Sequence, residues 1–322
     1  MIRSIPKQFR NLPTPMAGLA LGVASLGVCL ELALDLSGAA QIVCALIASA
    51  LLALLATRYV FHADTLAADL RHPVLGSIAP TFAMCLMVLS KTLAMLSPSA
   101  GIALWLAAIA LHLVFLAAFV YNRLHSPSLE VMVPSWFVPP VGLIVADVTF
   151  PGAEWLHPVA LVILYAGLAS YAVLLPVMLY RIFFYSAIAP GAQPTIAIMA
   201  APASLSLAGY LTVVREPDFL LAGILLGIAL LMTLAVYFAF WRLLRLQFSP
   251  AYAAFTFPMA IGATALYKAA ALVETIPAAA ADAAALRVLA HIELVIACAV
   301  IGYVLVLYLK NFRMFLPVKP QS

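Results

Sequence analysis

Charge is what this sequence has least of. Only 9% of its 322 residues are Asp, Glu, Lys or Arg, 66% are hydrophobic, and the mean hydropathy is +1.15. So few charges cannot clothe a water-soluble globule of this length. Cysteine is nearly as scarce. Cys29, Cys44, Cys85 and Cys298 lie singly in apolar runs with no C-x-x-C pair, which excludes a disulfide framework and reads as buried free thiols. H-E-x-x-H, G-x-S-x-G, a P-loop and a Gly-rich dinucleotide fingerprint are all missing. His62, His72, His125 and His157 fall at the ends of apolar runs without metal-ligand spacing. His112, inside a run, reads as a hydrogen-bonded histidine of a helix bundle. No metal, cofactor or nucleic acid is expected as a partner. A membrane enzyme would need His, Cys or acidic residues converging at one depth, and none do, so no enzyme is expected.

What the chain has instead is repeated apolar runs of about 20 residues, the length that crosses a hydrocarbon core of about 30 Å as α-helix. They lack strict alternation, which excludes an outer-membrane barrel. With charges as punctuation there are ten spans: Pro13–Leu34, Ala39–Phe61, Pro73–Leu96, Gly101–Leu124, Trp136–Phe150, Pro158–Ile182, Pro194–Val214, Phe219–Leu244, Pro250–Leu272 and Leu286–Phe312. Residues 1–12 and 315–322 are then short cytoplasmic segments flanking a transmembrane domain over 13–314. The basic start, MIRSIPKQFRNLPTP, precedes a run without a small-x-small cleavage site, so the first span is expected to be retained.

Lys and Arg set the orientation. The N-terminus, the loops after the even spans and the C-terminus hold Arg3, Lys7, Arg10, Arg58, Arg71, Arg123, Arg181, Arg242, Arg245, Lys310, Arg313 and Lys319, twelve of the sixteen. The opposite side has Lys91, Arg215, Lys268 and Arg287. Both termini are therefore predicted inside.

Each odd span carries a proline followed by small residues: PMAGLALG from Pro15, PTFAMCLM from Pro80, PVGLIVAD from Pro140, PASLSLAG from Pro202 and PMAIGATA from Pro258, at spacings of 65, 60, 62 and 56 residues. One proline in a membrane helix means little, but five at near-constant spacing read as an internal repeat of one hairpin. The pattern predicts an all-α membrane fold of five αα-hairpins in a quasi-fivefold ring around a central pore. Small residues let the odd helices approach closely inside, with bulkier even helices outside.

The sharpest stretch is Ser249–Lys268, SPAYAAFTFPMAIGATALYK. Pro258 in mid-run removes a backbone hydrogen bond and is expected to kink the helix against the carbonyl of Ala254. Such a freed carbonyl is tolerated where it faces protein or a water-filled cavity. The segment is read as lining a pore that Phe257 plugs. Phe255 points about 200° away around a helix axis, so the two rings cannot share that role.

A-F-T-F-P-M with a lysine ten residues after the proline, R-H-P ahead of the third span, P-S-W-F-V-P-P in the fifth and A-P-A-S in the seventh resemble the tellurite-resistance/dicarboxylate transporter family, which includes the bacterial protein TehA and the plant slow anion channels. The resemblance runs from Pro13 to about Phe312. It implies ten helices around a pore, one pore per subunit of a homotrimer, a multi-pass protein of the bacterial inner membrane, and a gate at the second phenylalanine of the motif, Phe257. Pro15, Gly18, Pro80, Pro140, Pro202, Pro258 and Gly262 would kink or line the same pore. The chain lacks the long tails through which kinases regulate the plant channels.

The odd spans carry almost no charge at membrane depth. Asp147, Lys91 and Lys268 lie towards the outer ends of the fifth, third and ninth spans. Proton-coupled carriers place acidic or histidine relays at depth, so a neutral, aromatic-gated tube suits passive conduction better. Lys91 and Lys268 would favour anions at the outer mouth, or else snorkel to the interface. Arg287, His291 and Glu293 on the tenth span read as one packing or subunit-contact cluster. The expected function is a gated channel or channel-like exporter of small anions, with tellurite and related oxyanions as candidate cargo. The alternative is a secondary carrier for C4-dicarboxylates such as malate, against which the absence of membrane-depth arginine on the odd spans counts.

Overall fold

The computed structural model describes residues 9–125 and 128–315. Arg3, Lys7 and Lys319, which entered the orientation argument, lie outside them, as does most of the 1–12 segment and nearly all of the 315–322 tail. All regular structure among the described residues is helical. Nine helical runs have membrane length and apolarity: Met16–Leu34, Ala39–Phe61, Leu75–Leu96, Pro98–Leu124, Glu154–Phe184, Pro190–Val213, Phe219–Leu243, Pro250–Val273 and Pro277–Lys310. The fifth expected span is the exception. Apolar structure there covers Pro134–Val148, too short to cross as regular helix, and alternates 3-10 and α turns. Pro139 and Pro140 together remove two helix donors, which prevents a continuous ladder.

The odd runs also begin differently from the expectation of mid-helix kinks. The ninth opens as 3-10 helix over Pro250–Phe255 and becomes α-helix at Thr256, so Pro258 sits in the first turn of the α-helix and not in its middle. The seventh opens as 3-10 helix over Pro190–Ala200 and becomes α-helix at Ala201, with Pro202 next. In the first and third, Pro15 and Pro80 cap the α-helices Met16–Leu34 and Thr81–Leu96. First-turn N–H groups have no intrahelical acceptor, so a proline there removes nothing the helix uses. The repeat is thus a repeat of helix starts.

Burial separates the two classes of run. In the most apolar stretch of the odd runs of membrane length 61–83% of residues are buried, against 28–39% in the even ones. Even runs present Leu46, Val162, Phe183, Phe238 and Trp241 outward, as helices facing lipid do. Each odd run packs against the even run that follows it, and odd runs pack in the order first on third, third on fifth, fifth on seventh, seventh on ninth and ninth on first.

At the end where the odd runs begin, a buried ion pair ties three elements together. Arg58, in the last turn of the second run, donates through Nη1 to Asp69 at 2.7 Å and to Thr14 Oγ1 at 2.8 Å, and Thr14 donates to Asp69 at 2.5 Å. Asp69 lies on the short helix Ala63–Arg71, and Thr14 directly precedes Pro15. Both charged side chains are nearly inaccessible, at 8% and 11%. Removing one partner strands a buried charge. Arg58→Ala is therefore expected to destabilise by about 3–5 kcal/mol, and an unfolding midpoint in detergent within about 2 °C of wild type would contradict this.

Candidate functional site

The first, third, fifth, seventh and ninth segments converge on one narrow cavity. Its walls include Pro15 and Gly18, Ile78 and Thr81, Val138 and Gly142, Pro202 and Leu205, and Phe257 and Pro258. The free volume is about 50 Å³, room for a few water molecules. The lining is almost wholly apolar, and the one hydroxyl on it, Thr81, donates to the Ile78 carbonyl at 2.7 Å. Helical phase brings these residues together: Gly18 and Leu21, or Ala201 and Leu205, recur at three or four residues and so share a helix face.

Phe257 and Phe255 part as helix geometry requires. Phe257 lines the cavity, whereas Phe255 is fully buried behind it with its ring 4.8 Å from Tyr252 and 5.3 Å from Phe240. The backbone around Phe257 is held by the first segment. Thr256 Oγ1 donates to the carbonyls of Ala253, at 2.7 Å, and of Gly18, at 3.1 Å. A β-carbon on Gly22 would meet Thr256 Cβ at 2.4 Å and the Phe257 nitrogen at 3.1 Å. Sequence reasoning missed Gly22 and Thr256. The only local signal was a glycine and a threonine in small-residue runs, and their meeting is a long-range event.

Past Pro15, Ile78 and Ala251 the cavity gives onto a vestibule of about 880 Å³, lined by Arg10, Arg58, Asp64, Asp69 and His72 among others. Arg10 pairs with Asp64 at 2.8 Å and Arg58 with Asp69, so both carboxylates at this mouth are neutralised.

The remaining candidates are distributed as follows. Pro80 and Pro140 are outside the cavity lining, although Thr81 and Val141 beside them are in it; Pro140 lies instead in an outer groove with Pro158. Gly262 also faces elsewhere: a β-carbon there would lie 2.5 Å from Glu293 Oε2 on the tenth run. Lys268 follows Phe257 by eleven residues, which returns it to within about 20° of the same helix face. Lys91 follows Met84, a cavity residue, by seven, again within about 20°. Lys91 is exposed and Lys268 half-buried, and neither forms a salt bridge among the described residues.

The expected cluster of Arg287, His291 and Glu293 divides. Arg287 forks onto Glu274, and this hydrogen bond holds the Glu274 carboxyl below its ordinary range. His291 bonds the Arg287 carbonyl and stacks edge-on to Tyr267. Glu293 turns inward alone, 4% exposed. His112 Nε2 lies 2.7 Å from the Pro139 carbonyl, bracing the broken fifth segment.

Against this geometry, the family model of voltage-dependent anion channels matches residues 11–309. The chain belongs to that family. It is the family to which the A-F-T-F-P-M stretch pointed. Two uncharacterized transporters of Methanocaldococcus jannaschii are each 28% identical to it, over 229 and 227 residues. Those matches cover 63% of this chain and 67% and 65% of the relatives, so the chain spans about two thirds of their length. Membership in the family, with nine apolar helices of membrane length among the described residues, makes this a multi-pass membrane protein and points to anion transport, not catalysis.

Proposed function

We propose that this chain is a gated anion channel whose five hairpins form a quasi-fivefold ring, with the odd segments inside and Phe257 occluding the pore. The observation that carries the reading is the narrow apolar cavity that all five odd segments line, Phe257 among its walls. The succession of contacts from first to third to fifth to seventh to ninth and back to first supports the ring. A few waters in an apolar constriction are easily expelled, and a dewetted constriction stops ions without a charge barrier. Lys91 and Lys268 serve as cations at the far mouth and the vestibule as the cytoplasmic one, with both termini inside a plasma membrane. The exposed even helices leave surface for the homotrimer that the family resemblance implies. Small anions, tellurite and related oxyanions among them, are the cargo.

The lining of the cavity carries no cation, and a C4-dicarboxylate carrier needs fixed positive groups to hold two carboxylates. The test is flux through protein reconstituted in lipid. A channel gives current that grows with chloride or nitrate concentration without saturating. Saturable malate uptake with no current would establish the carrier instead.

Gly22→Ala probes the contact that holds the gate. Overpacking against Thr256 is expected to cost about 1–3 kcal/mol and to raise resting current, because Thr256 and Phe257 are consecutive. A variant as stable and as tight as wild type would show that this contact does not hold Phe257 in place.

A further inference from the structure

Glu293 is a buried carboxyl placed against the helix that carries Phe257. It lies in mid-run on Ala280–Lys310, and its Oε2 points at the backbone of Gly262, one turn beyond Pro258. Oε2 has no hydrogen-bond partner. Beside it is a small void of about 10 Å³ walled by Ser204 of the seventh run, Leu226, Ala229 and Thr233 of the eighth, and Gly262 and Leu266 of the ninth. That volume admits one water molecule at most. No basic side chain lines it. Tyr237 on the eighth run and Cys29 on the first are titratable groups near Glu293, neither supplies a positive charge, and Glu293 forms no salt bridge among the described residues.

We infer that Glu293 is a proton-binding site coupled to the gate through Gly262, an inference that rests on the channel reading above. With the proton bound, the carboxyl is neutral and packs against the glycine as the structure has it. When the proton leaves to the aqueous phase, an uncompensated carboxylate remains at membrane depth, where unpaired charge is disfavoured unless water or a counter-charge reaches it. The one-water void cannot hydrate it. The ionised state therefore favours displacement of the ninth helix from the tenth, and Pro258 and Phe257 move with it. Glycine is what lets the carboxyl approach this closely, since any side chain at residue 262 would collide with Oε2. Acid holds the gate shut and alkali loosens it. A ligand can shift a two-state equilibrium only through a difference in affinity for the two states, and here the ligand is the proton.

The experiment is anion current in lipid bilayers from about pH 5 to about pH 9, with infrared difference spectra of the carboxyl C=O stretch on the same protein. Wild-type current is expected to rise at least about fivefold across the range, the lower end of common coupling strengths, and a protonated-carboxyl band is expected to titrate. Glu293→Gln should remove both the band and the pH dependence. Gly262→Ala, which displaces the carboxyl without removing it, should shift the midpoint of both, and it decides the matter if Glu293→Gln fails to fold. A Glu293→Gln protein with the wild-type pH profile, or a wild-type spectrum without a titrating band, overturns the inference. If Phe257→Ala passes no current at any pH the channel reading fails, and the infrared band alone then decides whether Glu293 binds a proton.

Discussion

Phe257→Ala is expected to turn a nearly silent protein into a constitutively open one. Phe257 lines a cavity of about 50 Å³ whose other walls are apolar, so an anion there meets at most a few waters and no compensating charge. Placing a charge at the centre of a bilayer costs about 3 kcal/mol on the lowest of the usual scales. Removing the ring lets water bridge the constriction and lowers that barrier. A reduction of this size corresponds to about 100-fold in rate, and resting chloride or nitrate current should rise by a factor of that order. Phe255→Ala is the control. Its ring packs between Tyr252 and Phe240, so its loss should cost about 3–5 kcal/mol of stability and leave the pore closed. Unchanged current in Phe257→Ala at normal surface expression would remove the gate from the proposal.

In the open Phe257→Ala background, replacing Lys91 and Lys268 together by glutamine is expected to abolish the preference for anions. The two lysines stand on the third and ninth runs, at helical phases close to those of Met84 and Phe257. Two ammonium groups at one mouth of the proposed pore raise the local concentration of anions. A unit charge about 4 Å away in a medium like bulk water contributes about 1 kcal/mol, close to fivefold in local anion concentration, so the pair together supplies about 25-fold. Screening should shrink the effect in about 1 M salt, where the Debye length falls to about 3 Å. The measurement is the reversal potential across a potassium chloride gradient. A potential unmoved by the double substitution would mean that both ammonium groups snorkel to the interface.

Part of the cavity lining, Pro15, Gly18, Pro202, Phe257 and Pro258, could be named from the sequence because its signals are local, whereas Pro80, Pro140 and Gly262 fall outside it. Helical phase alone separates Phe257 from Phe255 and aligns Lys268 with Phe257, and no tertiary contact is needed for either. The prolines were also visible, but their effect was misjudged. A proline in an apolar run looks the same whether it bends a helix or begins one. The difference depends on whether the preceding turn is 3-10 or α, which neighbouring segments decide. The fifth segment departs from a regular span for the same reason: two consecutive prolines break it into short 3-10 and α turns, and His112 and Trp105 of the fourth run bond its Pro139 and Ala146 carbonyls.

The sequence by itself determined the membrane class, the alternation of proline-bearing and bulky runs and the family. The first two follow from composition and short-range periodicity, and the family from motifs such as A-F-T-F-P-M that lie in single stretches of chain. Only the tertiary structure decided which side chains meet. Thr256 reaches the carbonyl of Gly18 across 238 residues of chain, Arg58 closes on Thr14 and Asp69, and Glu293 leaves its neighbours Arg287 and His291 to press on Gly262. Such contacts depend on how helices distant in sequence pack. An apolar surface attracts any other apolar surface almost equally, so the partner is chosen by shape, through the glycines that permit close approach and the few polar atoms that must be satisfied.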